Sequence, residues 1–515
     1  MSVPPVASVP SPMSSDDVSV TTPSAGSPAG NTVLRRIWAT PGAAWGALLL
    51  ACVGSRLATT ITYVEDPDSL RFALSVADEY DVAALQPHFP GYPVFWFVTE
   101  LFAAPTGHFS ASFSLVGGLA TAGIVWALLR LRRVPLRSAD GLALAGLVAC
   151  SPLLWLMGNR YMPDLLGTAW VLVTLVALLR ALRTDGAAGR RAAIAGMALA
   201  GLLAGLRLSY LPLVLPAALG VLWSVGGRGR QVGAGLLGVL VWLVPMILDT
   251  GPWTLVDVAW AQTTGHFTEF GGTVQTAPDL SRRAAGFVQG LWADGLGAWW
   301  PGRHPLTIVV GLGALFAGGA GARRLWTRGR LRHRRAWLLG GSILLYAVWI
   351  FFFQNVVHKS RHVLPLLPLL LTLPAAGMAA LWRSGAGVRR AALVGGGAAY
   401  LAVTLVLVAQ HQTPTAIAQA KAFVERQAEA RPTVRVVSIP LVNTYLRRQQ
   451  VDARYLSVDD SADVRRLRRA DTGRTLVVGT YPSLLDREPT ATRRFYHNPH
   501  VNRMWPDVTV YVYDH

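Results

Sequence analysis

Apolar runs of roughly 20 residues, each long enough to cross a bilayer core of about 30 Å, recur along most of the chain. The first covers about 43–63, followed by 113–131, 141–158, 165–182, 193–206, 210–225, 232–248, 306–321, 337–353, 362–382 and 391–409. The pattern predicts a polytopic α-helical membrane protein with about eleven transmembrane helices. The stretch Tyr92–Pro105 is apolar and aromatic but short and broken by Glu100, and reads as a helix at the outer interface.

The polar breaks alternate in character. Arg130, Arg132, Arg133 and Arg137 fall after one run, Arg183, Arg190 and Arg191 after another, and Arg228 and Arg230 after a third. The series continues with Arg323 to Arg335 and with Arg383, Arg389 and Arg390. Acidic residues gather in the other set of breaks. By the positive-inside rule the N-terminus is cytoplasmic and the C-terminus extracytoplasmic.

Three regions follow. Residues 1–34 are rich in Ser, Pro, Thr and Val and read as a disordered cytoplasmic tail. Residues 35–410 form the transmembrane part, with outer loops at 64–108 and 249–304. In the second loop, Trp253, Trp260, Trp292, Trp299 and Trp300 suit short helices lying in the headgroup layer. From 411 to 515 the pattern changes: β-branched runs at 435–439, 475–478 and 508–513 alternate with helical spacing, as in a small C-terminal α/β domain. No glycine-rich phosphate fingerprint follows its strands, which argues against a nucleotide site there.

Composition agrees with this reading. The 515 residues are 52% hydrophobic and 15% charged, against about a quarter charged in soluble domains. The net charge of +19 comes almost wholly from arginine, since Lys359 and Lys421 are the only lysines. Its placement in alternate breaks suits topology and anionic membrane lipid, not nucleic acid. Cys52 and Cys150 lie in apolar runs and read as inert core thiols.

The first outer loop concentrates candidate chemistry. It reads EDPDSLRF from Glu65 to Phe72 and ends in His88-Phe89-Pro90-Gly91-Tyr92-Pro93. Asp66-Pro67 is an N-cap followed by a first-turn proline, which places Asp68 at a helix start, where a carboxylate stays ionised and fixed in position. Asp78, Glu79 and Asp81 read as solvated surface.

A second outer break carries Arg160 and Asp164, a charged pair that must find partners at a membrane edge. A third carries His358, Lys359, Arg361 and His362, a cationic cluster on the side where the positive-inside rule disfavours it. Such a cluster suits phosphate oxygens. Arg207 occupies a similar outer turn.

The Asp68–Phe72 and His88–Pro93 elements together resemble the first outer loop of GT-C glycosyltransferases, among them the protein O-mannosyltransferases and the lipid A aminoarabinose transferases. The resemblance implies a GT-C-like fold with an outward-facing site. It also implies a polyprenyl-phosphate-linked sugar donor and a glycan, lipid or protein acceptor, with a divalent cation required in some branches. Asp68 matches the catalytic acidic position, the base for the acceptor hydroxyl. Ser69 stands where several relatives have Glu, leaving Asp66 or Glu65 to supply a second carboxylate, and Phe89 stands where a proline is common. His88, Asp164, Arg207, His358, Lys359 and Arg361 are then the substrate-binding candidates. Asp164 resembles the second outer acidic residue of that family, and the segment from Arg361 to Pro365 its R-Y-x-L-P element, with His362 in place of Tyr. The rival reading is a transporter or flippase of a lipid-linked sugar, but the chain shows no internal repeat, and its notable charges sit at span ends.

Overall fold

The computed structural model describes residues 40–514 apart from 271, 330–333, 386, 432, 461–472, 482–483 and 486. The tail at 1–34, with Arg35 and Arg36, and the basic residues Arg330 and Arg332 lie outside the described residues.

Among the described residues, eight helical segments are long and apolar enough to cross a membrane, or nine if the bent pair Ala139–Ala149 and Pro152–Asn159 is one span. That pair bends by 53° at Cys150-Ser151, where Pro152 opens the second helix and offers no N–H to continue the first. The first apolar run forms a shorter helix, Pro41–Ala58. Gly186–Ser224, one segment by length, doubles back: Gly186 and Ser224 line the same cavity, so the chain reverses at the 3-10 turn Leu208–Tyr210 after Arg207. The bent pair, the short first helix and the reversal together account for the difference between eight and eleven.

Small residues set the closest helix contacts. A Cβ on Gly377 would lie 1.8 Å from the Ala317 carbonyl oxygen, and one on Gly321 2.0 Å from that of Leu373. The helices Leu306–Thr327 and Leu366–Ser384 therefore touch backbone to backbone, as small-residue packing in membranes allows.

The two ends of the helices differ chemically. At the arginine-rich end, Asp140 is shared by Arg132 (3.6 Å), Arg324 (3.0 Å) and Arg383 (2.9 Å). The other end carries the acidic loop, Asp164, Arg207 and the Lys359–Arg361 cluster. Tyr92–Pro105, expected at the interface, is the helix Pro93–Thr106, and its Phe95 packs on Phe113 of the span Phe109–Arg132. The tryptophan-rich loop folds into the helices Pro252–Thr268 and Leu280–Gln289 and the π-helical turn Gly290–Gly295. Trp253 and Trp260 there are largely exposed.

The C-terminal region forms a five-stranded sheet of β1 (Val434–Ser438), β2 (Arg454–Ser457), β3 (Arg474–Val478), β4 (Ala491–Tyr496) and β5 (Asp507–Asp514), in the order β2-β1-β3-β5-β4. The first three are parallel and β5 runs against both β3 and β4. β2 and β4 had no strand-like run to betray them, being short or polar. One sheet face packs Val436, Leu476 and Val510 against Ile417 and Val424 of the helix Ala416–Ala430. Leu70 of the acidic loop joins that core. The domain thus packs against the helix that carries Asp68.

Candidate active site

The acidic loop folds as the N-cap pattern predicts. Asp66 accepts a hydrogen bond from the Ser69 amide at 2.8 Å, and Pro67 begins the helix Pro67–Ala77. That orientation aims Asp68 at the third outer break, which the 3-10 turn Ser360–Val363 holds in place. Lys359 Nζ lies 2.5 Å and Arg361 Nη2 2.7 Å from the same oxygen, Asp68 Oδ2. Burial alone would raise the Asp68 carboxyl, but the two cations outweigh it and hold it well below its ordinary 3.8.

Arg361 also faces Asp164, with Nε 4.0 Å from Oδ1. Asp164 is fully buried and is gripped by Arg207 at 2.8 Å and by the Tyr210 hydroxyl at 3.3 Å. Arg207 donates in addition to the Tyr92 hydroxyl at 3.1 Å, and that hydroxyl meets His88 Nε2 at 3.2 Å. A continuous polar chain therefore runs from Lys359 through Asp68, Arg361, Asp164, Arg207 and Tyr92 to His88. The turn before Tyr92 requires glycine: Gly91 has φ +81°, and a Cβ there would meet the Tyr80 hydroxyl at 2.7 Å. Burial pushes the His88 imidazole from 6.5 to about 3, so it is neutral, and its Nδ1 has no hydrogen-bond partner among the described residues.

Glu65 and Asp66 form a second layer beneath Asp68. Glu65 is wholly buried between Arg160 (3.0 Å) and His411 (2.9 Å). Burial opposes its ionisation, yet those partners hold it at about 2. Asp66 is pushed the other way, upward, by burial and by the neighbouring Asp68 and Glu65. His358 is exposed and does not reach Asp68, but it borders the same small cavity as Lys359, Arg361, Arg160 and Asp66. That cavity is about 10 Å³, room for about one water.

Among the described residues no three His, Cys, Asp or Glu side chains converge as a metal-ion site. Asp68 Oδ2 and Asp164 Oδ1 face guanidinium and ammonium groups, while Asp164 Oδ2 is buried with no hydrogen-bond partner among the described residues.

Several members of the site carry no local sequence signal. His411 pairs with Glu65, and Asn502 donates to Asp66 at 3.2 Å and to Glu65 at 3.5 Å. Arg160 donates to the Val501 carbonyl at 2.5 Å. These contacts bring the C-terminal domain to the membrane site, and no sequence feature singled out the segment Asn498–Arg503.

The fold is GT-C. The chain resembles two crystal structures of ArnT from Cupriavidus metallidurans, one bound to undecaprenyl phosphate and one in the apo state. The first is 17% identical and the second 14%, each with a TM-score of 0.50 and a match covering 94% of this chain and 98% of ArnT. No protein-family model and no curated sequence matches the chain.

Proposed function

We propose that the protein is a membrane glycosyltransferase that takes a hexose or pentose from a polyprenyl-phosphate donor and passes it to an acceptor at the outer face of the membrane. The observation that carries this reading is the clamp of Lys359 and Arg361 on Asp68, set in a fold shared with an ArnT that binds undecaprenyl phosphate. Lys359 and Arg361 supply charge-assisted donors of the kind a lipid phosphate requires.

Asp68 is the proposed base. While both cations hold it, its carboxylate is a weak one. A donor phosphate that draws Lys359 and Arg361 onto its own oxygens removes those charges from Asp68, and the carboxyl rises toward its ordinary value. Donor binding thus generates the base that the acceptor needs. The acceptor oxygen then attacks the anomeric carbon from the face opposite the phosphate. A carbon–oxygen bond to the acceptor forms as the bond to the phosphate oxygen breaks. The polyprenyl phosphate leaves with the electron pair, and the acceptor proton passes to Asp68. One displacement inverts the anomeric centre.

The small cavity agrees with a resting state, because a sugar phosphate cannot enter until the clamp opens. Arg207 and Asp164 fix Arg361 from behind and Tyr92 fixes Arg207. His88 lies on the same network through Tyr92. The orientation that goes with this reading puts the arginine-rich end of the helices, around Asp140, in the cytoplasm and the C-terminal domain outside.

Purified protein in liposomes, given a polyprenyl-phosphate donor with a labelled sugar and a cell-envelope acceptor fraction, tests the reading. Release of free polyprenyl phosphate with label in the acceptor is expected. Label that crosses the bilayer still attached to its lipid would overturn transfer in favour of transport.

A further inference from the structure

Two adjacent residues of the C-terminal domain touch the two halves of the site. Asn502 reaches the acidic half, donating to Asp66 and Glu65. Arg503 reaches the cationic half. Its Nη1 donates to the carbonyls of Val356 (3.4 Å) and Val357 (3.3 Å), the residues that lead directly into His358 and Lys359. The same nitrogen donates to the Gly286 carbonyl at 3.2 Å, and Nη2 lies 2.6 Å from the buried Asp294 carboxylate. The Arg503 side chain is only 7% exposed. Its Nε has no hydrogen-bond partner among the described residues, and Arg503 borders the same cavity as Lys359 and Arg361.

A guanidinium is suited to this because it is planar and offers five donors in fixed directions. It can hold a carboxylate along one edge and a row of carbonyls along another, which an ammonium cannot do at once. Asp294, in turn, is held by His500 at 3.2 Å and lies 3.9 Å from Arg303. Arg503 is therefore anchored on the tryptophan-rich loop while it grips the segment before Lys359. The turn carrying Lys359 and Arg361 has little regular structure of its own, four residues of 3-10 helix. Its position relative to Asp68 depends on what grips it from outside.

We infer that Asn502 and Arg503 form a latch by which the C-terminal domain sets the spacing between Asp68 and the Lys359–Arg361 cations, making the domain part of the donor-phosphate site. Both are positioning residues. The inference rests on the donor reading above. A cation moved off the phosphate loses a charge-assisted bond worth about 1.5–3 kcal/mol, so loosening the latch should be felt in donor affinity.

The test measures undecaprenyl phosphate binding to the full-length protein in detergent or nanodiscs, alongside thermal unfolding. Arg503→Ala is expected to weaken binding by roughly tenfold or more. Arg503→Lys, which keeps the charge and can satisfy either Asp294 or the carbonyls, should fall between Arg503→Ala and wild type. Asn502→Ala tests the other half: it loosens the helix start that holds Asp68, the carboxylate competing with phosphate for Lys359 and Arg361, and should shift binding more than about twofold toward tighter. A purely structural role would lower the unfolding temperature and leave the affinity of the folded fraction unchanged. Affinities of Arg503→Ala and Asn502→Ala within twofold of wild type would overturn the latch. If Arg503→Ala does not fold, Arg503→Lys and Asn502→Ala decide the matter by the same twofold criterion. Failure of the wild type to bind undecaprenyl phosphate would instead overturn the donor reading itself.

Discussion

Arg361 Nη2 donates to Asp68 Oδ2 at 2.7 Å although 293 residues separate the two in sequence. The contact joins the first outer loop to the turn before a late span, and Arg361 turns its other edge toward Asp164. A single guanidinium therefore faces the carboxylates of both Asp68 and Asp164, and an anion that takes its Nη2 competes with Asp68.

That competition makes an unusual expectation for Asp68→Asn. Transfer should fall by roughly 10²–10⁴-fold, the usual worth of a positioned base. Undecaprenyl phosphate should bind at least as tightly as in wild type, because the amide no longer competes for Lys359 and Arg361. Parallel activity and binding measurements check this, and weaker phosphate binding would sink the competition argument.

Lys359→Ala and Arg361→Ala act in the opposite sense. Each removes a charge-assisted donor worth about 1.5–3 kcal/mol, so phosphate affinity should drop by about 10–100-fold. The loss should shrink at high salt for Lys359, the more exposed of the two. Titrations at two ionic strengths read both effects.

Glu65→Gln should cost stability more than chemistry. The wild-type carboxylate is fully buried between Arg160 and His411. Removing its charge leaves the Arg160 guanidinium buried without it, a change of about 3–5 kcal/mol. The expected readout is a clear fall in unfolding temperature, and a variant as stable as wild type would contradict the pairing.

Acid should destabilise the fold through groups whose pKa is depressed. For His88 the folded value is about 3 against 6.5, so the unfolded chain binds the proton first. Its contribution is complete above pH 6.5 and is lost as pH falls toward 3. Glu65, held at about 2 against 4.5, adds a second loss below pH 4.5. Asp66, raised by burial, works weakly in the other direction. Unfolding temperature measured from pH 7 to 4 should decline from about pH 6.5, and His88→Gln should flatten the upper part of that decline.

Gly377→Ala tests the membrane packing away from the site. Its methyl would press on the Ala317 carbonyl, a backbone atom that cannot step aside. Overpacking of this kind costs about 1–3 kcal/mol or more. Lower folded yield and unfolding temperature are expected, whereas Gly313→Ala, where nothing lies within reach of a Cβ, should be silent.

The sequence by itself determined the elements. Hydrophobic run length set the spans, arginine placement separated the two ends, and the Asp66-Pro67 cap fixed the helix that presents Asp68, because each of these is a local property of the chain. It also marked Asp164, Arg207, Lys359 and Arg361 as charges too costly to leave alone at a membrane edge. Local pattern placed the reversal at Arg207, between the runs 193–206 and 210–225, where the 3-10 turn Leu208–Tyr210 lies, but it could not say that β2 and β4 are strands, since short polar strands are defined by the neighbours they pair with. Partnership was decided only by the tertiary structure. Glu65 and Asp68 sit in one short acidic stretch, yet one is sealed between Arg160 and His411 while the other faces Lys359 and Arg361. The side of the helix start each lies on, and the distant segment packed there, settle that difference. Asn502 and Arg503 show the same limit: nothing local singled them out, and burial against segments 146 to 437 residues away is what makes them part of the site.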